Sequence, residues 1–265
     1  MQNCKIAYFI KKICYNLSMN LDRSIPLSII IPAYNEEPNL GQTLEDVASY
    51  LNQSSENYEV IVVNDGSTDK TAEIAQGKSG LFKNFRLLNN PGNRGKGYAV
   101  KNGVLQAQGE SVLFMDADNS TQINQLPKLV EMIDQGSDIA IASRRIPGAE
   151  IDTLQPLHRR IMGNFYILAT HLILGTNVRD FNCGFKLFTK KSAQKLFSML
   201  TRDDWSFDAE LIFLAAKLGF RLKEVPIKWQ DKRTSKVKPL QDGIKSLLDL
   251  FAIKLRHCKE PSTNR

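Results

Sequence analysis

The chain has no run of about twenty apolar residues, which excludes a simple membrane-spanning helix. The longest apolar segment, 161–174, is interrupted by Asn164 and His171, and Lys11 and Lys12 split the apolar stretch that a signal peptide would need. Cysteine is scarce: Cys4, Cys14, Cys183 and Cys258 form no C-x-x-C and follow no regular spacing. That argues against a zinc ribbon or a disulfide framework and for a reduced setting. The three histidines, His158, His171 and His257, are too scattered to suggest a metal site. Neither G-x-G-x-x-G nor G-x-x-x-x-G-K-[ST] occurs, so dinucleotide and P-loop enzymes are disfavoured. Repeats, low-complexity tracts and recognisable nucleic-acid modules are also missing, and a charged fraction of 24% gives no sign of disorder.

What is present is a core. Hydrophobic residues make up 42% of 265, enough for one large α/β domain or one domain with an appendage. Leu27–Ile31, Glu59–Val63, Phe85–Leu88, Ser111–Met115 and Asp138–Ala142 read as short strands, the first ending at Pro32. Helical patterns separate them, at Leu40–Leu51, from a Thr68 or Asp69 cap through Ile74, from Gly97 to about Ala107, and over 125–135. Strands that are hydrophobic throughout and alternate with helices predict a parallel sheet covered on both faces. In such sheets ligands sit beyond the carboxyl ends of the strands. Tyr34, Asn35, Glu36, Asp65, Asp116 and Asp118 all fall at those ends.

The alternation stops after residue 145. A polar stretch, the apolar segment to Leu174 and a compact glycine-containing Asp180–Leu187 follow, then a helix from a Ser206 cap through Leu218. The final helix has Leu240, Ile244, Leu247, Leu248, Phe251 and Leu255 on one face. The formal charge is +7, and most of it lies between Lys228 and Glu260, where nine lysines and arginines meet four acids. Such a cluster suits an anionic surface, although a solvated tail reads the same way. Ile6, Phe9, Ile10, Ile13 and Leu17 also repeat at helical spacing, as in a helix lying on a membrane, packing on the domain or leading into it. The division expected is a leader over 1–25, a main domain over 26–230, and a basic loop with an amphipathic helix over 231–265.

Several groupings can carry chemistry. Asp116-Ala117-Asp118 sets two hard carboxylates at a strand end, where they can hold Mg²⁺ or Mn²⁺ against a diphosphate; alone, the pattern is also common in turns. Asp65 can cap a helix or accept from a nucleotide base or ribose. Arg94 and Lys96, in the loop Gly92–Gly97, can meet phosphates or solvent. Arg144 and Arg145 suit bidentate phosphate contact or a surface ion pair. Asp180 can act as a base or make an Asx-turn, and Trp205, Asp208 and Glu210 open a helix whose N-terminus favours acids.

SIIIPAYNEE, EVIVVNDGSTDKT, NRGKGYAVKNG and FMDADNST, in that order, resemble family 2 glycosyltransferases. RDFNCGFKLF and WSFDAELIFLA resemble the dolichyl-phosphate β-glucosyltransferase group and related polyprenyl-phosphate enzymes within it. The likeness runs from about Leu27 to Arg256. It implies a GT-A fold, a Rossmann-like, mostly parallel sheet with helices on both faces, here followed by C-terminal interfacial helices. It implies that Pro32, Ala33, Tyr34, Glu36 and Asp65 cradle the nucleotide. Lys96, Asp116, Ala117 and Asp118 would bind the donor, with Asp116 and Asp118 on Mg²⁺ or Mn²⁺. Arg144 and Arg145 would meet the acceptor phosphate, Asp180 matches the catalytic base, and Asp208 and Glu210 would line the acceptor side.

The implied reaction is inverting transfer of one sugar from a nucleotide sugar, UDP-glucose favoured, to a polyprenyl or dolichyl phosphate. A phosphate monoester is mostly dianionic at neutral pH, its second pKa being about 6, so Asp180 is expected to orient more than to deprotonate. The enzyme would sit peripherally, as a monotopic protein, on the cytoplasmic face of a membrane, with no nucleic-acid partner; nothing in the pattern bears on oligomeric state. Alternatives are a GDP-mannose-dependent enzyme, a transferase with a non-lipid acceptor, and a silent nucleotide-sugar binder. Asn64 stands where an Asp is frequent, and Ser120 stands where mannosyl relatives carry a metal-contacting Gln, which weakens the mannose reading. No Q-x-x-R-W occurs, which disfavours a processive synthase, and the N-terminal anchor of eukaryotic glucosyl relatives is not evident.

Overall fold

The computed structural model describes residues 26–53, 57–152, 157–230 and 239–258. The stripe at Ile6–Leu17 and the basic residues 231–238 lie outside them.

Seven strands form one sheet, in the order β3-β2-β1-β4-β7-β5-β8. They are β1 (Leu27–Ala33), β2 (Tyr58–Asn64), β3 (Phe85–Asn89), β4 (Ser111–Met115), β5 (Ile139–Ser143), β7 (Phe185–Thr189) and β8 (Leu222–Pro226). A two-residue ladder joins β6 (Glu150–Ile151) to β9 (Lys228–Trp229). The eight helices among the described residues are α1 (Leu40–Leu51), α2 (Thr71–Gly77), α3 (Lys96–Leu105), α4 (Leu126–Asp134), α5 (Leu157–Leu174), α6 (Lys190–Met199), α7 (Phe207–Lys217) and α8 (Pro239–Cys258).

The covered, mostly parallel sheet is as the hydrophobic runs predict. One face packs on α1, α2 and α4 through Leu44, Val47, Ala75 and Leu129, and the other on α3, α6 and α7 through Val100, Leu196 and Leu211. The chain runs outward from β1 to β2 and β3, then returns to lay β4 on the other side of β1. That reversal opens a crevice at the strand ends, the usual ligand position in such sheets. β1 and β2 run two residues and one residue beyond the predicted ends. Pro32 is accommodated within β1 because the ladder to β4 stops at the Ile30–Phe114 pair.

The second half departs from the sequence reading. Asp180–Leu187 is not merely a compact turn, since its end becomes β7, antiparallel to both β4 and β5 in the middle of the sheet. The pattern was hidden by Lys186, a fully buried lysine in that strand. Ser206 does not cap α7 with its side chain; it donates to Asp249 Oδ2 at 2.9 Å. Asp69 does serve the start of α2, accepting from Thr71 N at 3.0 Å.

α5 and α8 pack together over Leu174, Ala209, Leu250 and Ile253. On α8, Leu250 and Ile253 point inward with Leu247 packed beside them, while Leu248, Phe251 and Leu255 of the face read from the sequence are exposed. α5 likewise exposes Ile161, Phe165, Leu168 and Leu172, spaced four, three and four residues apart on one side. No described helix is long and apolar enough to cross a membrane.

Candidate active site

The crevice is walled by loops that hold each other through their own polar atoms. After β1, Asn35 takes a left-handed conformation at φ 51°, unusual for a residue with a side chain. It is fixed there from the β2–α2 loop: its N–H donates to Ser67 Oγ at 3.0 Å, and its Oδ1 accepts from Thr68 N at 2.8 Å. Glu36 N donates to Thr71 Oγ1 at 2.8 Å, and the Glu36 carboxylate accepts from Asn39 at 2.9 Å. Pro32 and Ala33 end β1, and Tyr34 and Glu36 follow at the carboxyl edge of the sheet.

Asp65, after β2, is buried, and its carboxylate accepts from Asn90 Nδ2 at 2.7 Å and from the backbone N–H groups of Arg94 and Gly95 at 3.1 and 2.8 Å. It folds the Gly92–Gly95 loop, and so sets where Lys96 begins α3. Gly66 is required beneath this loop, because a Cβ there would lie 2.3 Å from Gly92 C.

Lys96 and Asp116 meet at 2.6 Å, although the sequence placed them in separate motifs. The Lys96 ammonium also lies 5.3 Å from the Phe114 ring centre and 4.9 Å from that of Trp205. The Asp116 carboxylate lies directly against the residue that precedes β7: a Cβ on Gly184 would fall 2.0–2.3 Å from its atoms. Asp116 N also donates to Gly184 O at 2.9 Å. Gly184 is therefore a site residue that the sequence reading missed; only its place beside Asp116 after folding reveals it.

Asp118 is buried and accepts from Ser120 N at 3.0 Å. Asn119 beside it has φ 54°. Asn119 Oδ1 and Ser120 Oγ are buried without a hydrogen-bond partner, so the turn after β4 holds unmet oxygen atoms next to its carboxylates. This donor set suits a hard divalent cation, which draws part of its shell from phosphate and water. Among the described residues no cluster of three or more His, Cys, Asp or Glu could hold a metal alone.

At the same edge of the sheet, Arg144 at the end of β5 grips Asp180. Its Nε and Nη2 each donate at 2.7 Å, and its backbone N–H donates to Oδ2 at 2.9 Å. Burial by itself would raise the Asp180 carboxyl, but Arg144 outweighs it and holds the pKa below the ordinary value. The Arg144 guanidinium also sits 5.1 Å from the Trp229 ring centre, and Glu224 on β8 accepts from the N–H groups of Arg179 and Asp180 at 3.0 and 3.1 Å. A carboxylate so tied is a poor base and a good anchor for a cation. Arg145 is exposed, although partial desolvation lowers its pKa; it meets Asn164 of α5.

Asp208 and Glu210, expected on the acceptor side, are both buried in polar contacts. Asp208 pairs with Lys186 at 2.5 Å, and burial outweighs that pairing, raising its pKa. Glu210 accepts from Thr201 N, Thr201 Oγ1 and Arg202 N at 2.7–2.9 Å and lies 2.7 Å from His257 Nε2 of α8. These contacts give Glu210 a structural task, fastening the C-terminal helix to the α6–α7 connection. Sequence reading had no signal for it, because the partner is 47 residues away.

The glycosyl transferase family 2 model matches residues 28–197. The dolichyl-phosphate beta-glucosyltransferase of Drosophila melanogaster is 38% identical over 248 residues, covering 88% of this chain and 76% of the fly protein. Among solved structures, mannosyl-3-phosphoglycerate synthase from Rubrobacter xylanophilus superposes with a TM-score of 0.70 at 16% identity, covering 98% of this chain and 80% of its own. Glucosyl-3-phosphoglycerate synthase from Mycobacterium tuberculosis, in complex with Mn²⁺ and UDP-glucose, gives a TM-score of 0.67 at 18% identity, covering 96% and 84%. At such identities the structures speak to the fold.

Proposed function

The chain belongs to glycosyl transferase family 2 and is a glycosyltransferase, and from that premise we propose that it moves glucose from UDP-glucose to a dolichyl or polyprenyl phosphate at a membrane surface. The observation that carries this reading is a set of two charged pairs at one edge of the sheet. Lys96 and Asp116 stand at the end of β4, and Arg144, held by Asp180, stands at the end of β5, two strands away along the same edge. The likeness to the fly dolichyl-phosphate beta-glucosyltransferase supports glucose and dolichyl phosphate.

The acceptor phosphate oxygen attacks the anomeric carbon, the bond from that carbon to the diphosphate oxygen breaks, and its electron pair leaves with UDP. No proton need be removed, because a phosphate monoester is largely dianionic at neutral pH. The difficulty is bringing two anions together, and Arg144 answers it on the acceptor side. Asp180 fixes the guanidinium plane while remaining ionised. Lys96 answers charge on the donor side, and the Asp65-ordered loop holds Lys96 in position. A divalent cation, Mg²⁺ or Mn²⁺, held by Asp116 and Asp118 when bound, supplies charge neutralisation for the leaving diphosphate.

The acceptor's prenyl tail stays in the bilayer, so the site must come to the headgroup plane. The apolar stripes of α5 and α8, with the basic residues of 228–238 that precede α8 in the sequence, suit a monotopic attachment to the cytoplasmic leaflet. Radiolabelled UDP-glucose, UDP-galactose and GDP-mannose, each supplied with dolichyl phosphate or with 3-phosphoglycerate, test the reading. Label extracted into organic solvent from UDP-glucose with dolichyl phosphate is expected. Transfer only to the soluble acceptor, or only from GDP-mannose, would replace it.

A further inference from the structure

The chain has two tryptophans, and they differ sharply in exposure. Trp229 is buried beneath Arg144, whereas Trp205 is 52% exposed. Trp205 sits on the turn between α6 and α7, and that turn is fixed at several points. Asp204 Oδ1 accepts from Ser206 N at 3.0 Å, and Asp204 Oδ2 pairs with Lys245 at 2.7 Å. Asp249 accepts from Ser206 Oγ and pairs with Arg202, both at 2.9 Å. The turn also presses on the donor loop: Asp203 O accepts from Tyr98 N at 3.1 Å, and a Cβ on Gly95 or Gly97 would meet Asp203 O at 2.4 Å or Arg202 O at 2.6 Å. The indole is therefore exposed on a fixed support packed against the donor loop.

Its face is turned toward the Lys96 ammonium, 4.9 Å from the ring centre, and that ammonium is 2.6 Å from Asp116. The diphosphate of a donor at Asp116 therefore brings its sugar within reach of the ring, since one oxygen separates the two. An indole face carries negative potential and attracts polarised C–H groups. A gluco-configured hexose has all its ring hydroxyls equatorial and presents unbroken C–H faces. An axial hydroxyl at C2 or C4 interrupts one of them.

We propose that Trp205 is the platform on which the donor hexose stacks, and that it sets the preference for a gluco-configured sugar. This rests on the donor assignment made above. Stacking of this kind predicts a rise of about three- to tenfold in the KM for UDP-glucose in Trp205→Ala. Trp205→Phe retains most of the affinity, and inhibition by UDP alone is unchanged in both. The discrimination between UDP-glucose and UDP-galactose narrows in Trp205→Ala, an effect that a merely structural role would not produce.

Fluorine NMR on the full chain labelled with 5-fluorotryptophan tests this directly. Two resonances are expected, and Trp205→Phe identifies one of them. With Mg²⁺ present, UDP-glucose should shift the Trp205 signal saturably, UDP-galactose less, and UDP scarcely at all. If calorimetry shows UDP-glucose binding while the Trp205 signal stays still, the proposal is overturned and the donor assignment survives. If UDP-glucose does not bind at all, the donor assignment fails and the platform falls with it. A Trp205 signal that moves with anionic vesicles but not with donor would make it a membrane contact and overturn the proposal.

Discussion

The two halves of the molecule hold their charged groups in different ways. From β1 to β5 the acids are met largely by backbone N–H groups: Asp65 by Arg94 and Gly95, Asp118 by Ser120, Asp69 by Thr71, with the Lys96–Asp116 pair as the exception. After residue 145 each of four acids has a charged or imidazole side chain as partner, in Arg144–Asp180, Lys186–Asp208, Arg202–Asp249 and His257–Glu210. The first half buries its helices against the sheet on both faces, while the second leaves the apolar stripes of α5 and α8 uncovered. The difference is one of task. A donor site for a compact polar molecule can be built from tight turns at strand ends. A site for a phosphate carried on a lipid needs a buried, rigid cation and a surface that meets lipid.

Asp116→Asn should break the comparison most severely. Removing a charge at the diphosphate should lower kcat by on the order of 10³ with the fold intact by circular dichroism, and full activity in EDTA would contradict the metal role. Gly184→Ala comes next. Its methyl group would occupy the space of the Asp116 carboxylate, and a displacement of about 1 Å at a reacting site lowers the rate about 100-fold. Measured by UDP release, that loss should exceed any change in melting temperature; near-normal kcat would mean that Asp116 works from elsewhere.

Asp180→Asn sharpens the contrast on the acceptor side. The Asp180 pKa is depressed, so its pairing contributes stability above its unfolded value and loses it as pH falls through the lower folded value. Across neutral pH it does not titrate. Rate should fall about tenfold or more through loss of the anchor on Arg144. The acidic limb, set by the acceptor phosphate near its second pKa of about 6, should stay in place. A limb that shifts in the variant would restore Asp180 as the base. The smallest effect should come from the uncovered stripes. Phe165→Ser with Phe251→Ser should reduce co-sedimentation with anionic vesicles severalfold while leaving UDP release with a short-chain, water-soluble acceptor unaltered. Equal sedimentation of wild type and variant would contradict the docking face.

This division also accounts for what could be read from the sequence. The strands through β5 announce themselves by short apolar runs, β-branched in β1 and β2, and Tyr34, Asp65, Asp116 and Asp118 follow them at the edge where ligands collect. Lys186 disguised β7, the strand on which Asp116 rests, because a buried lysine is intelligible only once Asp208 stands opposite. Gly184 matters because of a carboxylate 68 positions earlier, and Glu210 because of His257; neither relation leaves a local mark. On α8 the exposed stripe is as apolar as the buried one, so periodicity alone could not choose between them.

The most direct measurement follows phosphorus through the reaction. The full chain is incubated with UDP-glucose, dolichyl phosphate in vesicles and Mg²⁺, and ³¹P NMR records every species. The account predicts that the dolichyl monoester signal disappears in step with UDP formation while a single new phosphodiester grows, and that EDTA stops all three changes. UDP accumulating with free glucose while the monoester signal persists would contradict it.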